Sequence, residues 1–139
     1  MTRTGELVFV DTGAWIALAL TRDPLHQRAS ETWEILAGTS AKLHTSVSIV
    51  VETFTFLDRN TTRNVALAWK DSLRVVSRLR VLPCTSRYLE QAWKYFERPD
   101  LHRLSAVDAL SFVLMAQRRI RVAFAFDSHF ATAGFRMVG

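Results

Sequence analysis

Residues 7–20, LVFVDTGAWIALAL, constrain the fold more than any other part of the chain. Four apolar residues rich in β-formers run straight into Asp11, and Thr12, Gly13 and a second apolar run of helical character follow. A strand that ends in a carboxylate and turns at once into a helix puts that carboxylate at the carboxyl edge of a sheet. Open α/β folds keep their ligands there. Taken alone, Asp11 reads equally well as a helix cap. The pattern recurs three more times along the chain, and that recurrence favours a site.

The rest of the chain repeats the alternation of strand and helix. Asp23 and Pro24 have the form of an N-cap and first helical residue, with Leu25, Ala29, Trp33 and Leu36 at helical spacing and Gly38 as the stop. Residues 42–45 read as a strand, and Thr45 or Ser46 caps a helix over 47–58. A second helix is expected over 62–78, a strand over 80–84, and a helix to about residue 97 capped by Thr85 or Ser86. A further helix over 105–118, a strand over 122–126 and a short edge strand over 135–138 complete the reading. This order predicts an α/β fold, a central mostly parallel sheet flanked by helices.

At 139 residues the chain is expected to form one domain, 1–139, and its 49% hydrophobic content excludes a disordered polymer. No apolar run reaches the ~18 residues needed to span a bilayer. MTRTGE followed by an Asp-containing apolar run does not resemble a signal peptide, so a cytoplasmic location is expected. The single cysteine, Cys84, excludes an internal disulfide and a cysteine zinc site, and its setting suggests a buried small hydrophobe. A net charge of +5 favours polyanions as partners, nucleic acid first.

Most acidic residues sit in polar surroundings, but Asp11, Glu52, Asp108 and Asp127 sit in LVFVD, SIVVETFTFL, SAVDALSFVLM and VAFAFDSHF. An ionised carboxylate in apolar surroundings is costly unless paired, hydrogen-bonded or metal-bound. Simpler readings exist for each. Ser105 and Asp108 have capping-box spacing, and Asp127 can cap a turn over Ser128–Ala131. Glu52 resists such a reading because it lies mid-helix, with Ser48, Thr55 and Arg59 forming a narrow polar stripe on an otherwise apolar helix. A helix apolar nearly all round is buried, so the stripe is expected to face a polar cleft. Carboxylates gathered in one place repel and call for a cation. Arg59 and Arg103 are positive candidates nearby in sequence, but an all-oxygen set better suits Mg²⁺, with Mn²⁺ as the second choice. Such a site activates water against a phosphodiester.

FVDTGAWIALAL, VVETFTFL, SAVDALSFVLMAQRR and AFAFDSHFATAGF together resemble the four acidic motifs of PIN-domain ribonucleases, and the size and order resemble VapC-type toxins of toxin–antitoxin pairs. The resemblance covers essentially the whole chain. It implies a three-layer α/β/α fold and a Mg²⁺-dependent endoribonuclease, usually a homodimer, acting on RNA and silenced by a cognate antitoxin. It places the catalytic and metal-binding acids at Asp11, Glu52, Asp108 and Asp127, and the small hydroxyls at Thr12 and Ser105. Many relatives carry a hydroxyl two residues before the last Asp and another acid just after it. Here Ala125 and the Ser128-His129 pair stand there, which implies a second metal that binds weakly or only with RNA present.

His26, His44, His102 and His129 lack zinc-ligand spacing. His129, two residues from Asp127, is a candidate contact to the scissile phosphate, with a structural hydrogen bond as the simpler role. Arg103, close to Ser105, joins Thr12, Ser105 and His129 as a candidate substrate contact. Trp15, Trp33, Trp69 and Trp93 read as packing residues. Arg118, Arg119 and Arg121 read as a solvated helix end, with a phosphate-binding rim as the alternative. The apolar content of residues 47–76, notably Phe54, Phe56, Leu57, Val65 and Trp69, exceeds the needs of one small core. A homodimer surface and an antitoxin groove beside it are expected there. The alternatives to a toxin are a non-catalytic RNA- or protein-binding module of the same fold, and a nuclease of RNA processing.

Overall fold

The apolar tetrapeptide Leu7–Val10 forms β1, and Val8, Phe9 and Val10 are fully buried because neighbouring strands cover both of its edges. The structure, a computed structural model, describes residues 2–139. After β1 come α1 (Thr12–Ala19), α2 (His26–Gly38), β2 (Lys42–Ser46), α3 (Val47–Asn60) and α4 (Arg63–Ser72). Then follow β3 (Arg80–Leu82), α5 (Ser86–Ala92), α6 (Ala106–Arg118), β4 (Val122–Phe124), α7 (His129–Thr132) and β5 (Arg136–Val138). Single 3₁₀ segments extend α4 over Leu73–Val75 and α5 over Trp93–Glu97.

The sheet order is β3-β2-β1-β4-β5, and every neighbouring pair is parallel. From β1 the chain moves outward through β2 to β3, then returns to the other side of β1 for β4 and β5. Parallel crossovers are right-handed, so the reversal puts α1–α4 on one face and α5–α7 on the other. The packing agrees: α1 contacts α2 and α3, α3 contacts α4, and α6 contacts α5 and α7. The expected α/β/α architecture is therefore present, and its topological switch point lies between β1 and β4. Those strands are locked at their carboxyl ends by the Asp11 amide, which donates to the Phe124 carbonyl at 3.0 Å.

α6 is the second buried spine. Every residue from Asp108 to Met115 is buried, and Phe112 meets Phe130 edge-on at 5.0 Å and Tyr95 at 5.2 Å. On the other face Trp15 packs against Trp33 and Trp69 at 5.8 and 6.0 Å.

Several boundaries differ from the sequence reading. The helix expected at Asp23-Pro24 starts at His26, because Asp23 closes a turn by accepting the Leu25 amide at 2.8 Å. The helix expected to reach Arg78 ends at Ser72, whose hydroxyl bonds back to the Trp69 carbonyl at 2.6 Å, and the exposed Arg78 adopts φ 61°. The strand expected over 122–126 stops at Phe124, and that expected over 80–84 stops at Leu82. Ser46 rather than Thr45 caps α3, accepting the Ile49 amide at 3.1 Å. Thr45 instead donates to the Val10 carbonyl and accepts from the Trp15 indole.

The helix expected to be buried all round is not. In α3 only Ile49, Thr53 and Leu57 are buried, while Val47, Val51 and Phe56 face outward, Val51 at 60% exposure. Trp93 is exposed beside Phe96, so of the two packing roles expected, core or dimer, the core is excluded. Cys84 is half-buried and takes the Ser48 hydroxyl at 3.1 Å, so it is not the enclosed hydrophobe expected. Among the described residues no helix is long and apolar enough to cross a membrane.

Candidate metal centre

Each of the four acids hangs from a different element. Asp11 is the first residue after β1, Glu52 lies in the middle of α3, Asp108 is in the first turn of α6, and Asp127 follows β4 by three residues. Since β1 and β4 are neighbours, Asp11 and Asp127 meet at the switch point, and α6 brings Asp108 to the same place. Glu52 arrives from α3, where it accepts a short hydrogen bond from the Thr12 hydroxyl, at the start of α1. The sequence pattern named these residues, and the fold brings them together.

Asp11 is 5% exposed, and its Oδ1 is buried without a hydrogen-bond partner among the described residues. It occupies the N-cap position of α1, yet its side chain makes no capping bond. Burial pushes its carboxyl up to about 8, the Asp108 charge adds to that, the Thr12 amide opposes it, and Glu52 and Asp127 raise it further. Asp108 is 9% exposed and is pushed up to about 6, first by burial and then by Asp127 and Glu52, with His129 opposing. The simpler roles are also present. The Ser105 hydroxyl accepts the Asp108 amide at 3.0 Å, and Asp127 Oδ1 accepts the His129 amide at 2.9 Å. Capping therefore orients Asp108 and Asp127 without removing either carboxylate from the cluster.

The imidazole of His129 lies in the cluster, its Nδ1 3.0 Å from Asp127 Oδ1 and 3.6 Å from Asp108 Oδ2. The contact to Asp127 is a charge contact without hydrogen-bond direction, since among the described residues Nδ1 has no hydrogen-bond partner. Burial works against the charged ring. A hydrogen bond to the His102 carbonyl and the charges of Asp127 and Asp108 outweigh it, and the pKa rises.

One oxygen each from Asp108 and Asp127 and one nitrogen from His129 lie within 4.8 Å of one another. The fit to a divalent cation rests on that convergence and on the orphaned Asp11 oxygen. A buried carboxylate with one oxygen left without a donor is a group whose ionised form a cation would stabilise. The arginines thought able to neutralise the acids do not. Arg59 and Arg103 are exposed, and among the described residues neither pairs with any of the four. Arg103 instead turns the loop before Ser105, at φ 55°.

Sequence reasoning did not find Thr53, fully buried on α3 with its hydroxyl unpartnered. Its helical position was visible, but which side of α3 faces inward was not. Ser111, also buried, bonds its own helix at the Val107 carbonyl and takes no part in the cluster.

A family model described as PIN domain matches residues 8–136. The 23S rRNA-specific endonuclease VapC20 of Mycobacterium tuberculosis (strain ATCC 25618 / H37Rv) is 36% identical over 129 residues, covering 93% of this chain and 95% of that protein. The crystal structure of M. tuberculosis VapC20, described as a sarcin–ricin loop cleaving toxin, superposes with a TM-score of 0.81 over 92% of this chain and 95% of that one. VapBC2 from Rickettsia felis, solved with a promoter DNA fragment, shares the fold at a TM-score of 0.71 and 12% identity, over 94% of this chain and 96% of that one. With the acid cluster at its sheet switch point, the chain belongs to the PIN-domain family and is closely related to the VapC20 toxin.

Proposed function

We propose that this protein is a divalent-metal-dependent endoribonuclease and the toxin of a toxin–antitoxin pair. The observation that carries the reading is that Asp108, Glu52 and Asp127, each from a separate element, lie close enough to the buried Asp11 to help push its carboxyl up to about 8, with Asp108 and Asp127 converging on His129. A purely structural cluster of like charges only costs stability, whereas a cation turns that cost into binding energy.

Asp11, Asp108 and Asp127 would hold the ion, with Glu52 completing the set through the side facing α1. When bound, Mg²⁺ or Mn²⁺ lowers the pKa of a water and offsets charge on the phosphate. Glu52, kept in place by the Thr12 hydroxyl, would border the ion and be the acid nearest to hand to take a proton from the attacking water. Asp108 is held by the Ser105 cap and Asp127 by the His129 amide, so neither must reorganise on binding RNA. Thr12, Ser105 and Arg103 would line the approach for the RNA backbone, Arg103 from the exposed loop before α6, whereas the ring nitrogens of His129 are turned to the His102 carbonyl and the acids.

The substrate to test first is 23S rRNA, the RNA named for the M. tuberculosis relative. The test is cleavage of total RNA and of isolated 23S rRNA with Mg²⁺, with chelator, and with Asp11→Asn and Asp127→Asn. Metal-dependent cuts that both variants lose support the reading. Cleavage that survives chelation and both substitutions overturns it.

The partner reading follows from two surfaces. Val47, Val51 and Phe56 of α3, with Val65 and Leu67 of α4, leave apolar side chains exposed that a second copy would cover. A groove of about 700 Å³ lined by Trp15, Trp33, Leu36, Leu43, Trp69 and Val76 suits the apolar face of an antitoxin segment. Leu57 and Trp69, counted towards the dimer from the sequence, are buried inside the protein.

A further inference from the structure

The acids explain the cluster's charge but not the placement of His129. Asp127 Oδ1 accepts the His129 amide, which folds the chain so that the imidazole returns to the same carboxylate. On the far side of the ring, Nε2 meets the His102 carbonyl. A carbonyl only accepts, so Nε2 carries hydrogen, and in the neutral ring the lone pair then belongs to Nδ1. That Nδ1 is buried, has no hydrogen-bond partner, and faces oxygens of Asp127 and Asp108 at 3.0 and 3.6 Å. A lone pair held beside two carboxylates, without pointing at the nearer oxygen, is repulsive unless Nδ1 takes a proton or a cation stands among them. At 3.0 Å apart, Nδ1 and Asp127 Oδ1 are close enough for both to serve one ion. A ligating histidine also commonly donates its other ring nitrogen to a backbone carbonyl. Asp11, 5% exposed with Oδ1 unpartnered, borders the same cluster.

We propose that His129 is itself a metal ligand through Nδ1, beside Asp108 and Asp127, and that this nitrogen shifts the site's preference from Mg²⁺ towards a first-row transition ion such as Mn²⁺. The inference rests on the metal-site reading above. Its chemistry is ligand matching: Mg²⁺ is best served by carboxylate and water, whereas imidazole suits transition ions. The competing role is an imidazolium whose Nδ1 proton bridges the two acids as a counter-ion. That ring would stay off the ion.

The test uses the full chain loaded with Mn²⁺ and read by electron spin echo envelope modulation. The expected result is a ¹⁴N modulation that changes to the ¹⁵N pattern when histidine is ¹⁵N-labelled and disappears in His129→Gln. The wild-type spectra require no variant to fold. In titrations monitored by calorimetry, His129→Gln should weaken Mn²⁺ binding about tenfold or more, the loss found when a histidine's metal shell is disturbed, and change Mg²⁺ binding far less. Mn²⁺ bound at the acids without nitrogen modulation overturns the ligand role and leaves the metal site standing. A wild-type chain that takes up no Mn²⁺ overturns both.

Discussion

Asp11 is the residue at which the site's energetics concentrate. Its carboxyl is pushed from the ordinary 3.8 to about 8 by burial and by its acidic neighbours. Between those two values the native state holds a proton that the unfolded chain has released, so the stability of the metal-free protein falls as pH rises. Asp108, pushed to about 6, adds to the slope in the lower part of that window. Thermal melts in chelator should therefore show the melting temperature dropping from pH 5 to pH 8, and Asp11→Asn should flatten most of the fall. Mg²⁺ should restore stability at pH 8 in the wild type but not in that variant, because binding to the native state alone stabilises it. Protons compete with the ion for the same oxygens, so metal affinity measured by calorimetry should rise over the same interval. Asp11→Asn and Asp108→Asn should lose most RNA cleavage while the metal-free fold holds or gains stability. A capping role for Asp11 would give the reverse, a loss of ~1 kcal/mol with cleavage intact.

Short-range signals placed most elements, and the same signals explain where they failed. Ser46, Thr62, Thr85 and Ser105 each accept the amide three residues on, so the starts of α3, α4, α5 and α6 were legible from cap residues. Ser105 serves α6 through the Asp108 amide itself. Ser105→Ala should cost ~1 kcal/mol in urea unfolding, and Ser105→Asn, which keeps a capping oxygen, should recover it. A cleavage defect that persists in the Asn variant assigns the hydroxyl to RNA as well. The start of α2 was misread because Asp23 and Pro24 satisfy capping preferences equally well when the Asp closes a turn. Helix ends were less legible. α4 stops at Ser72 and α5 at Ala92 although apolar spacing continues, because each relaxes into a 3₁₀ turn as its chain leaves the core.

At the scale of the molecule, the two faces of the sheet have different tasks. α6 is enclosed on the α5–α7 side, whereas α3 and α4 leave Val47, Val51, Phe56, Val65 and Leu67 open. If that face joins two copies, Val51→Glu with Phe56→Glu should convert a dimer to a monomer in sedimentation velocity and leave Mn²⁺ binding unchanged. A wild-type monomer at tens of micromolar would remove the dimer reading. The net charge of +5 predicts that RNA binding weakens steadily with added salt through counterion release. Filter binding with the inactive Asp11→Asn variant between low and physiological salt measures the slope.

The sequence by itself determined the alternation of strands and helices, the run of β-formers into Asp11, and the identity of four acids too apolar in setting to be ordinary surface charges. These are properties of neighbours along the chain, where period, capping and composition act over a few residues. Only the tertiary structure decided that β4 returns beside β1, which places Asp127 with Asp11 at the switch point. It alone decided that Thr53 rather than Val51 faces inward on α3, that Arg59 and Arg103 stay outside, and that His129 folds back onto Asp127 and Asp108. Burial, desolvation and charge coupling depend on which distant segments share a space, and no local pattern carries that information.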